Sequence, residues 1–227
     1  LHDCGKVATP PHYVDKGTKL ETIFDRIELI KTRMELLKKD AEIAFLRRQL
    51  NGRTPKDFDQ EYLDTMKSIN SDMEFLEQCN IGGEFMKSDD QERVKDIGSK
   101  KIEFNGSKQN FMSDNEIQNL NIPKGTLLPE EREIINDHIV ITIEMLEQLP
   151  YPKNLKNIPE FAGGHHEKMD GTGYPKGLSE HQMSTQAKIM AIADIYEALT
   201  AADRPYKEGK KLSQAMRIMG FMKNDYH

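Results

Sequence analysis

Apolar residues recur along the first half of the chain at alternating steps of four and three, as on one face of a helix. The first row consists of Ile23, Ile27, Ile30, Met34, Leu37, Ala41 and Ala44. A heptad row of this kind is typical of a helix that packs lengthwise against another helix. After the sequence NGRTP, a second row consists of Phe58, Tyr62, Met66, Ile69, Met73 and Leu76. Because Asn51, Gly52 and Pro55 favour a turn between the rows, the pattern predicts an antiparallel helical hairpin, a coiled-coil arm.

Beyond this hairpin the pattern changes twice. Residues 87–127 are polar, and we expect one short helix there and a small β-hairpin in KKIEFNGSKQNFM, where Asn105-Gly106 suits a tight turn. Helical periodicity returns in LPEEREIINDHIVITIEMLEQL, whose Pro129 and following acids suit a first helical turn. Further helices are expected over about 184–202 and from about 212 onward.

Together these elements predict an all-α fold in which a helical body is interrupted by a long insertion. We assign residues 1–25 and 126–227 to the body, and residues 26–125 to the inserted arm with its polar connector. The chain opens at Leu1 rather than at a methionine, and we interpret it as a fragment of a longer protein.

Composition narrows the function classes. The formal net charge of −6 argues against broad nucleic-acid binding, so no DNA partner is expected. No run approaches the roughly 18 apolar residues of a membrane helix, so no membrane segment is expected in this sequence. Cys4 and Cys79 lie far apart without the spacing of a zinc site, and we interpret them as free thiols in a reducing cytoplasm.

Two polar residues fall within rows that are otherwise apolar. His138 shares its row with Ile134, Ile135, Ile141, Thr142 and Met145. Asp194 shares its row with Ala187, Met190, Ala191, Ala198 and Ala201. A buried carboxylate is costly unless it meets a cation or strong donors. Taken singly, His138 is interpreted as a core histidine whose hydrogen bonds are satisfied, and Asp194 as a member of a structural ion pair.

Considered with other residues of the same chemistry, they point to a metal centre. The set of candidate ligands is His2, Asp3, His138, His165, His166 and Asp194. Adjacent residues on a regular helix diverge by about 100°, so His165 and His166 can converge only where a helix ends, and Gly163-Gly164 favours that. Imidazoles mixed with carboxylates suit iron, manganese or zinc rather than calcium. The set exceeds the needs of one ion, and paired metal ions activate water for attack on phosphorus.

HDCGK at the start of the chain and HHEKMDGTGYP further along resemble the motifs of the HD-GYP family. This family is a branch of the HD metal-dependent phosphohydrolases and degrades cyclic dinucleotides. TLLPEEREIINDH and AIADIYEALTAADRPYK follow the family's pattern in the same order. The resemblance covers residues 1–25 and about 125–227, and it implies an HD-type helical bundle.

The resemblance also implies a role for each matching residue. It implies two or three divalent metal ions, iron or manganese, held by the candidate ligands above with Asp3 as the bridge. Lys6 lies one turn beyond His2 and matches the family's phosphate-contacting lysine, so Asp3 and Lys6 are the expected catalytic residues. Arg204 and Lys207 match positions that hold the substrate's phosphates. The family places a further histidine upstream of the HD pair, and no residue of this sequence matches it.

A signature loop follows the histidine pair and consists of Asp170, Gly171, Gly173, Tyr174 and Pro175. The resemblance implies that Tyr174 and Pro175 help to form the substrate pocket, and Tyr174 can stack on a base. The alternative is a purely structural loop, in which Asp170 caps a turn and Tyr174 packs on the body. Glu167 either accepts a hydrogen bond from an imidazole or has a structural or surface role. In this family the loop is also linked to protein partners, among them diguanylate cyclase (GGDEF) domains.

The function implied by the resemblance is hydrolysis of cyclic di-GMP to the linear dinucleotide or to GMP. Hydrolysis of 3'3'-cyclic GMP-AMP is the alternative within the enzyme class, because no residue identifies the base. A different class also stays open, namely a signalling module that binds a nucleotide or partner without turnover. In either class, the heptad rows predict self-association of the arm as a homodimer.

Overall fold

A computed structural model describes residues 1–50, 57–83, 85–104, 106–201 and 209–222 of the chain. Within these ranges the helices, in chain order, are α1 (Pro11–Val14), α2 (Ile27–Leu50), α3 (Asp57–Asn80), α4 (Ser88–Ser99), α5 (Asp114–Leu120), α6 (Pro129–Asn136), α7 (His138–Glu147), α8 (Ile158–Gly163), α9 (Thr185–Thr200) and α10 (Leu212–Met222). Short 3-10 turns span Cys4–Ala8, Lys153–Leu155 and Glu180–Gln182. The fold is therefore all-α, as predicted.

The predicted β-hairpin is present as a small antiparallel pair. Strand β1 (Lys101–Phe104) pairs with β2 (Ser107–Asn110), and Lys101 lies opposite Asn110. Gly106 has a φ of +74°, a conformation that glycine adopts without the steric cost borne by other residues. Its neighbour Asn105 lies outside the described residues, as do Asn51, Gly52 and Pro55 of the turn predicted between the long helices.

The chain divides into two compact units. One comprises Leu1–Asp15 and Pro129–His227 and contains the motifs quoted above except the first three residues of TLLPEEREIINDH, so we call it the motif unit. The other comprises Lys16–Leu128 and is called the arm unit.

The arm unit is built on the contact between α2 and α3. Of the first heptad row, Ile27, Ile30 and Met34 are buried, whereas Ile23 is 94% exposed because it precedes the helix. The three buried residues join a core that also contains Leu20, Leu76, Val94, Phe111 and Leu120. No described helix has both the length and the apolar run needed to cross a membrane.

In the motif unit, one stretch expected as a continuous helix is divided. Helix α6 ends at Asn136 and α7 begins at His138. Asp137 between them keeps helical backbone angles, and Ile134 and Met145 of the expected apolar row are 38% and 42% exposed rather than inward-facing. The fully inward residues of α7 are instead His138, Ile139, Thr142 and Leu146.

Candidate metal centre

The HD pair is brought to helix α7 by close packing at a glycine. Asp3 immediately precedes the 3-10 turn Cys4–Ala8, and the N–H of Gly5 donates to Thr142 Oγ1 over 2.9 Å. A Cβ atom at residue 5 would overlap the carbonyl oxygen of His138 and lie 2.7 Å from the backbone nitrogen of Thr142. The glycine of HDCGK therefore permits the contact that places Asp3 beside His138.

Asp3 lies at the centre of the candidate ligands. Its Oδ1 is 3.1 Å from Nε2 of His138 and 3.6 Å from Nε2 of His165, and its Oδ2 is 3.5 Å from Nε2 of His2. Lys6 Nζ lies 2.6 Å from the same Oδ2. Burial alone raises the pKa of Asp3, but its polar contacts with His138, His165 and Lys6 outweigh it and hold the pKa far below its usual value. Asp3 is therefore a carboxylate, the form that binds metal ions.

Backbone contacts orient two of the imidazoles. Nδ1 of His138 hydrogen-bonds the carbonyl oxygen of Ile135, and Nδ1 of His165 hydrogen-bonds that of Ala162. In the neutral ring Nδ1 carries the proton of this bond, so Nε2 keeps the lone pair with which an imidazole binds a metal ion. In the part of the chain that the structure describes, the buried Nε2 of His165 has no hydrogen-bond partner. A buried polar atom of this kind is costly unless a further group, such as a metal ion, meets it.

The adjacent histidines converge because their helix ends before them. Helix α8 stops at Gly163, and Gly164 packs so closely on α9 that an added Cβ would lie 2.8 Å from that of Ala187. The rings of His165 and His166 then lie with their centroids 4.2 Å apart. Burial, with the neighbouring charge of His165, lowers the pKa of His166 to about 4. His166 is therefore neutral at pH 7, as a metal ligand must be.

Helix α9 supplies the last candidate ligand. Ser184 caps this helix by accepting a hydrogen bond from the N–H of Ala187. Asp194 then lies on the inner side, with Oδ1 3.5 Å from Nε2 of His2.

The structure thus brings the candidate ligands into one region of the motif unit, and the donor atoms of all but Asp194 form groups that fit a metal ion. The donor atoms of His138, His165 and His166 lie within 4.8 Å of one another. The same is true of His2, Asp3 and His165. The mixture of imidazole nitrogen and carboxylate oxygen suits iron, manganese or zinc.

The signature loop is a sequence of tight turns. Asp170 accepts hydrogen bonds from the N–H and the hydroxyl of Thr172, and Gly171 has a φ of +80°. A Cβ atom at Gly173 would overlap the backbone of residues 167 and 168. The Tyr174-Pro175 peptide is cis. Asp170 therefore caps a turn, as the structural alternative holds, while the loop packs back onto the segment that carries the histidine pair.

Tyr174 contacts His166, one of the candidate metal ligands. Its ring stacks on that of His166 with centroids 4.9 Å apart and planes inclined by 19°, and its N–H donates to the carbonyl oxygen of His166. Burial raises the pKa of Tyr174 to about 12, so the hydroxyl keeps its proton at neutral pH. The same side chain also lines a cavity, so Tyr174 both packs on His166 and faces the space that a ligand could fill.

Glu167 has a structural role, one of the alternatives that the sequence left open. Its carboxylate is buried and accepts the N–H groups of Lys176 and Leu178, each over 2.7 Å. It thereby holds residues 176–178 of the loop against the segment that carries the histidine pair. Hydrogen bonds to an ionised buried carboxylate are among the stronger ones in proteins.

A cavity of about 180 Å³ opens beside the centre. Its wall includes His166, Tyr174 and Asp194, together with Lys188 of α9. Sequence reasoning missed Lys188, although the sequence contains a signal for it, because Lys188 is the only cationic residue between Thr185 and Thr200. It also missed the hydroxyl of Thr142, which was assigned only to an apolar row.

The remaining polar residues of interest are either exposed or outside the part of the chain that the structure describes. Arg204 and Lys207, expected to hold phosphates, lie outside the described residues. His12 and His181, which are not candidate ligands, are exposed.

Comparison with known proteins supports the assignment of the motifs. A family model described as HD domain matches residues 114–227. A protein named cyclic di-GMP phosphodiesterase from Thermotoga maritima is 29% identical over 224 residues, which cover 90% of this chain and 59% of the relative. A 3'3'-cGAMP-specific phosphodiesterase from Vibrio cholerae is 37% identical over 95 residues, 42% of this chain and 20% of the relative. A cyclic di-GMP phosphodiesterase from Pseudomonas aeruginosa is 51% identical over 55 residues, 24% of this chain and 13% of the relative. The chain thus spans 59% or less of the length of each of these relatives.

Proposed function

We propose that this chain, which belongs to the HD-GYP branch of the HD-domain family, is part of a metal-dependent phosphodiesterase that hydrolyses cyclic di-GMP. The expected product is the linear dinucleotide, GMP, or both. The relatives from Thermotoga maritima and Pseudomonas aeruginosa carry the name of this activity and support the choice of substrate.

The observation that carries the proposal is the convergence of the imidazoles and carboxylates around Asp3. Nδ1 of His138 and of His165 is engaged by the backbone, and this leaves Nε2 of each ring facing Asp3. A purely structural cluster does not require an unpartnered, buried Nε2 such as that of His165.

We assign the metal ligands to His2, Asp3, His138, His165, His166 and Asp194, with iron or manganese as the proposed ions. When bound, divalent ions lower the pKa of water and offset the charge that develops on the phosphoryl oxygens. Asp3, held as a carboxylate by its donors, lies within 3.6 Å of three imidazoles and keeps the two overlapping donor groups in one place.

The remaining residues act on the substrate. The side chain of Lys6 is 43% exposed and its ammonium group is adjacent to Asp3, so it can turn to a phosphate oxygen when the substrate arrives. Tyr174 remains protonated at neutral pH and can donate a hydrogen bond from the cavity wall. Arg204 and Lys207 are proposed as further phosphate contacts, on the strength of their match to the family motif.

Hydrolysis of 3'3'-cyclic GMP-AMP is a second candidate function. A specific observation favours it, because the relative with 37% identity over 95 residues is named for that activity.

The proposal is tested by product analysis with manganese- or iron-loaded protein and each cyclic dinucleotide in parallel. We expect turnover of cyclic di-GMP that a chelator abolishes and that the isosteric change Asp3→Asn reduces to background. The exposed Asp137→Asn at the α6–α7 junction serves as the matched control and should keep its activity. A folded, metal-loaded protein that turns over neither dinucleotide would favour the binding module over the enzyme.

We also propose that the arm mediates homodimerisation. Leu36, Ile43 and Leu46 support this proposal, because they are 43%, 44% and 47% exposed on α2. Sedimentation should show dimers of the intact chain, and the change Ile43→Lys should shift the protein toward monomers. A wild-type chain that stays monomeric at high concentration would contradict the role of the arm.

We propose in addition that the signature loop offers a surface to a GGDEF partner. The resemblance to the family supports this second interaction.

A further inference from the structure

We propose that the cavity beside the candidate metal centre is a binding site for a guanine base, and that Lys188 and Glu180 recognise the edge of that base. The inference rests on the proposed function, since it names the part of a cyclic dinucleotide that this cavity accepts. It concerns residues that neither the metal centre nor the family motifs include.

The walls of the cavity suit an aromatic ring. They include apolar side chains, namely Met169, Met183, Ala191, Ile192 and Ile195. The rings of His166 and Tyr174, which stack on each other, also line the cavity. A mostly apolar slot with a few polar groups at its margin is typical of sites for flat heteroaromatic ligands. Thioether side chains also make favourable contacts with aromatic rings.

The position of the cavity places such a base next to the reacting phosphate. His165, His166 and Asp194 line the cavity and are also candidate metal ligands. A dinucleotide with one phosphate at the metal centre therefore has a base within reach of this slot, since base and phosphate are joined through a single sugar.

Lys188 supplies the donor at the cavity margin. Its side chain is 26% exposed and forms part of the wall. Among the residues that the structure describes, its ion-pair partner is Glu180, whose Oε1 lies 3.8 Å from Nζ. That separation is too long for a hydrogen bond, so the ammonium group has donors to offer a ligand. The other lysine of the wall, Lys168, lies near the exposed carboxylate of Asp170.

The pair matches guanine rather than adenine. Guanine presents acceptors at O6 and N7, which a lysine ammonium commonly contacts. Next to O6 it presents the N1–H and the N2 amino group, which donate to a carboxylate such as that of Glu180. Adenine has a donor in place of O6 and an acceptor at N1, so it would meet Lys188 with a donor and Glu180 with an acceptor. Such mismatched polar contacts disfavour binding.

The test compares Lys188→Met with wild type on four substrates: cyclic di-GMP, 3'3'-cyclic GMP-AMP, cyclic di-AMP and bis(p-nitrophenyl) phosphate, which has no base. We expect wild type to prefer guanine-containing substrates. We expect Lys188→Met to lower kcat/KM for cyclic di-GMP by about tenfold or more, the range of one base-specific contact. The loss for bis(p-nitrophenyl) phosphate should be at least about fivefold smaller, because that substrate leaves the slot empty.

Two further variants complete the design. Glu180→Gln should reduce the preference for guanine over adenine in the same direction. Lys156→Met removes an exposed lysine of the same unit and should leave all four rates unchanged, which controls for net charge. Equal losses on all four substrates in Lys188→Met would overturn the proposal, since they would assign Lys188 to the shared phosphate or to the fold. Unchanged rates would overturn it too.

Failure of the proposed function is distinguishable from failure of this inference. If wild type turns over no cyclic dinucleotide, equilibrium dialysis with GMP and AMP measures the base site directly. Tighter binding of GMP that is lost in Lys188→Met would support the site in a protein without this activity. Equal binding of both nucleotides by wild type would overturn it.

Discussion

At the scale of single residues, Glu167 shows how a conspicuous motif can contain a structural group. It lies beside the candidate ligand His166, yet its carboxylate faces the signature loop and accepts the N–H groups of Lys176 and Leu178. The loop backbone, rather than an imidazole, is therefore its partner. Because Glu167 is buried and both bonds are partly buried, their loss should weaken the loop.

We expect Glu167→Gln to lower the free energy of unfolding by about 1–3 kcal/mol. The amide keeps one acceptor, but its NH₂ group would face a backbone N–H that needs an acceptor. Urea denaturation measures the change. The exposed Glu147→Gln on α7 is the matched control, and we expect it to stay within about 0.5 kcal/mol of wild type. Equal effects of the two changes would show that the two loop bonds contribute no more than a surface carboxylate.

At the scale of elements, the contact between the 3-10 turn Cys4–Ala8 and α7 positions the HD pair. It depends on the absence of a side chain at Gly5, which lies against the backbone of His138 and Thr142. Backbone atoms cannot rotate away as a flexible side chain can, so this contact does not tolerate a methyl group.

We therefore expect Gly5→Ala to cost about 1–3 kcal/mol of stability and to reduce the metal content of the protein. The added methyl group pushes the turn away from α7 and separates Asp3 from His138. Denaturation measures the first effect, and elemental analysis after manganese loading measures the second.

The control for this prediction is Gly220→Ala on α10, where a Cβ would have no neighbour within 4 Å. Alanine there should be neutral or stabilising by up to about 1 kcal/mol, because glycine is a poor helix former. A Gly5→Ala protein that keeps both its stability and its metal content would contradict the importance assigned to the contact.

At the scale of the whole molecule, the candidate metal ligands all belong to the motif unit, although they come from opposite ends of the sequence. The arm unit, Lys16–Leu128, has a separate core built on α2 and α3. A ligand stabilises the part of a protein whose structure it requires.

We expect manganese to increase hydrogen-exchange protection of amides in the motif unit, above all in the turn Cys4–Ala8, α7 and the segment after α8. At a concentration about 100-fold above Kd the gain corresponds to about 2.7 kcal/mol. Mass spectrometry of exchanged peptides measures it, with peptides of α2 and α3 as internal reference. Asp3→Asn should show a much smaller gain. The same protection in that variant would place the bound ion elsewhere.

The sequence by itself determined the helical class, the two heptad rows, the β-hairpin and the residue types of the candidate site. It could do so because helical periodicity, turn preferences and motif chemistry are local properties of the chain. Even the convergence of His165 and His166 followed from a local signal, the glycines that end α8.

Only the tertiary structure decided which atoms meet. The bond from Gly5 to Thr142 across 137 positions and the cavity position of Lys188 depend on packing between separate segments, and the partners of Glu167 depend on how the loop folds back. A residue's own neighbours in sequence do not specify such contacts, because they form only when whole elements pack together. The same packing leaves Nε2 of His165 buried without a partner among the described residues, the feature from which the proposed metal centre is inferred.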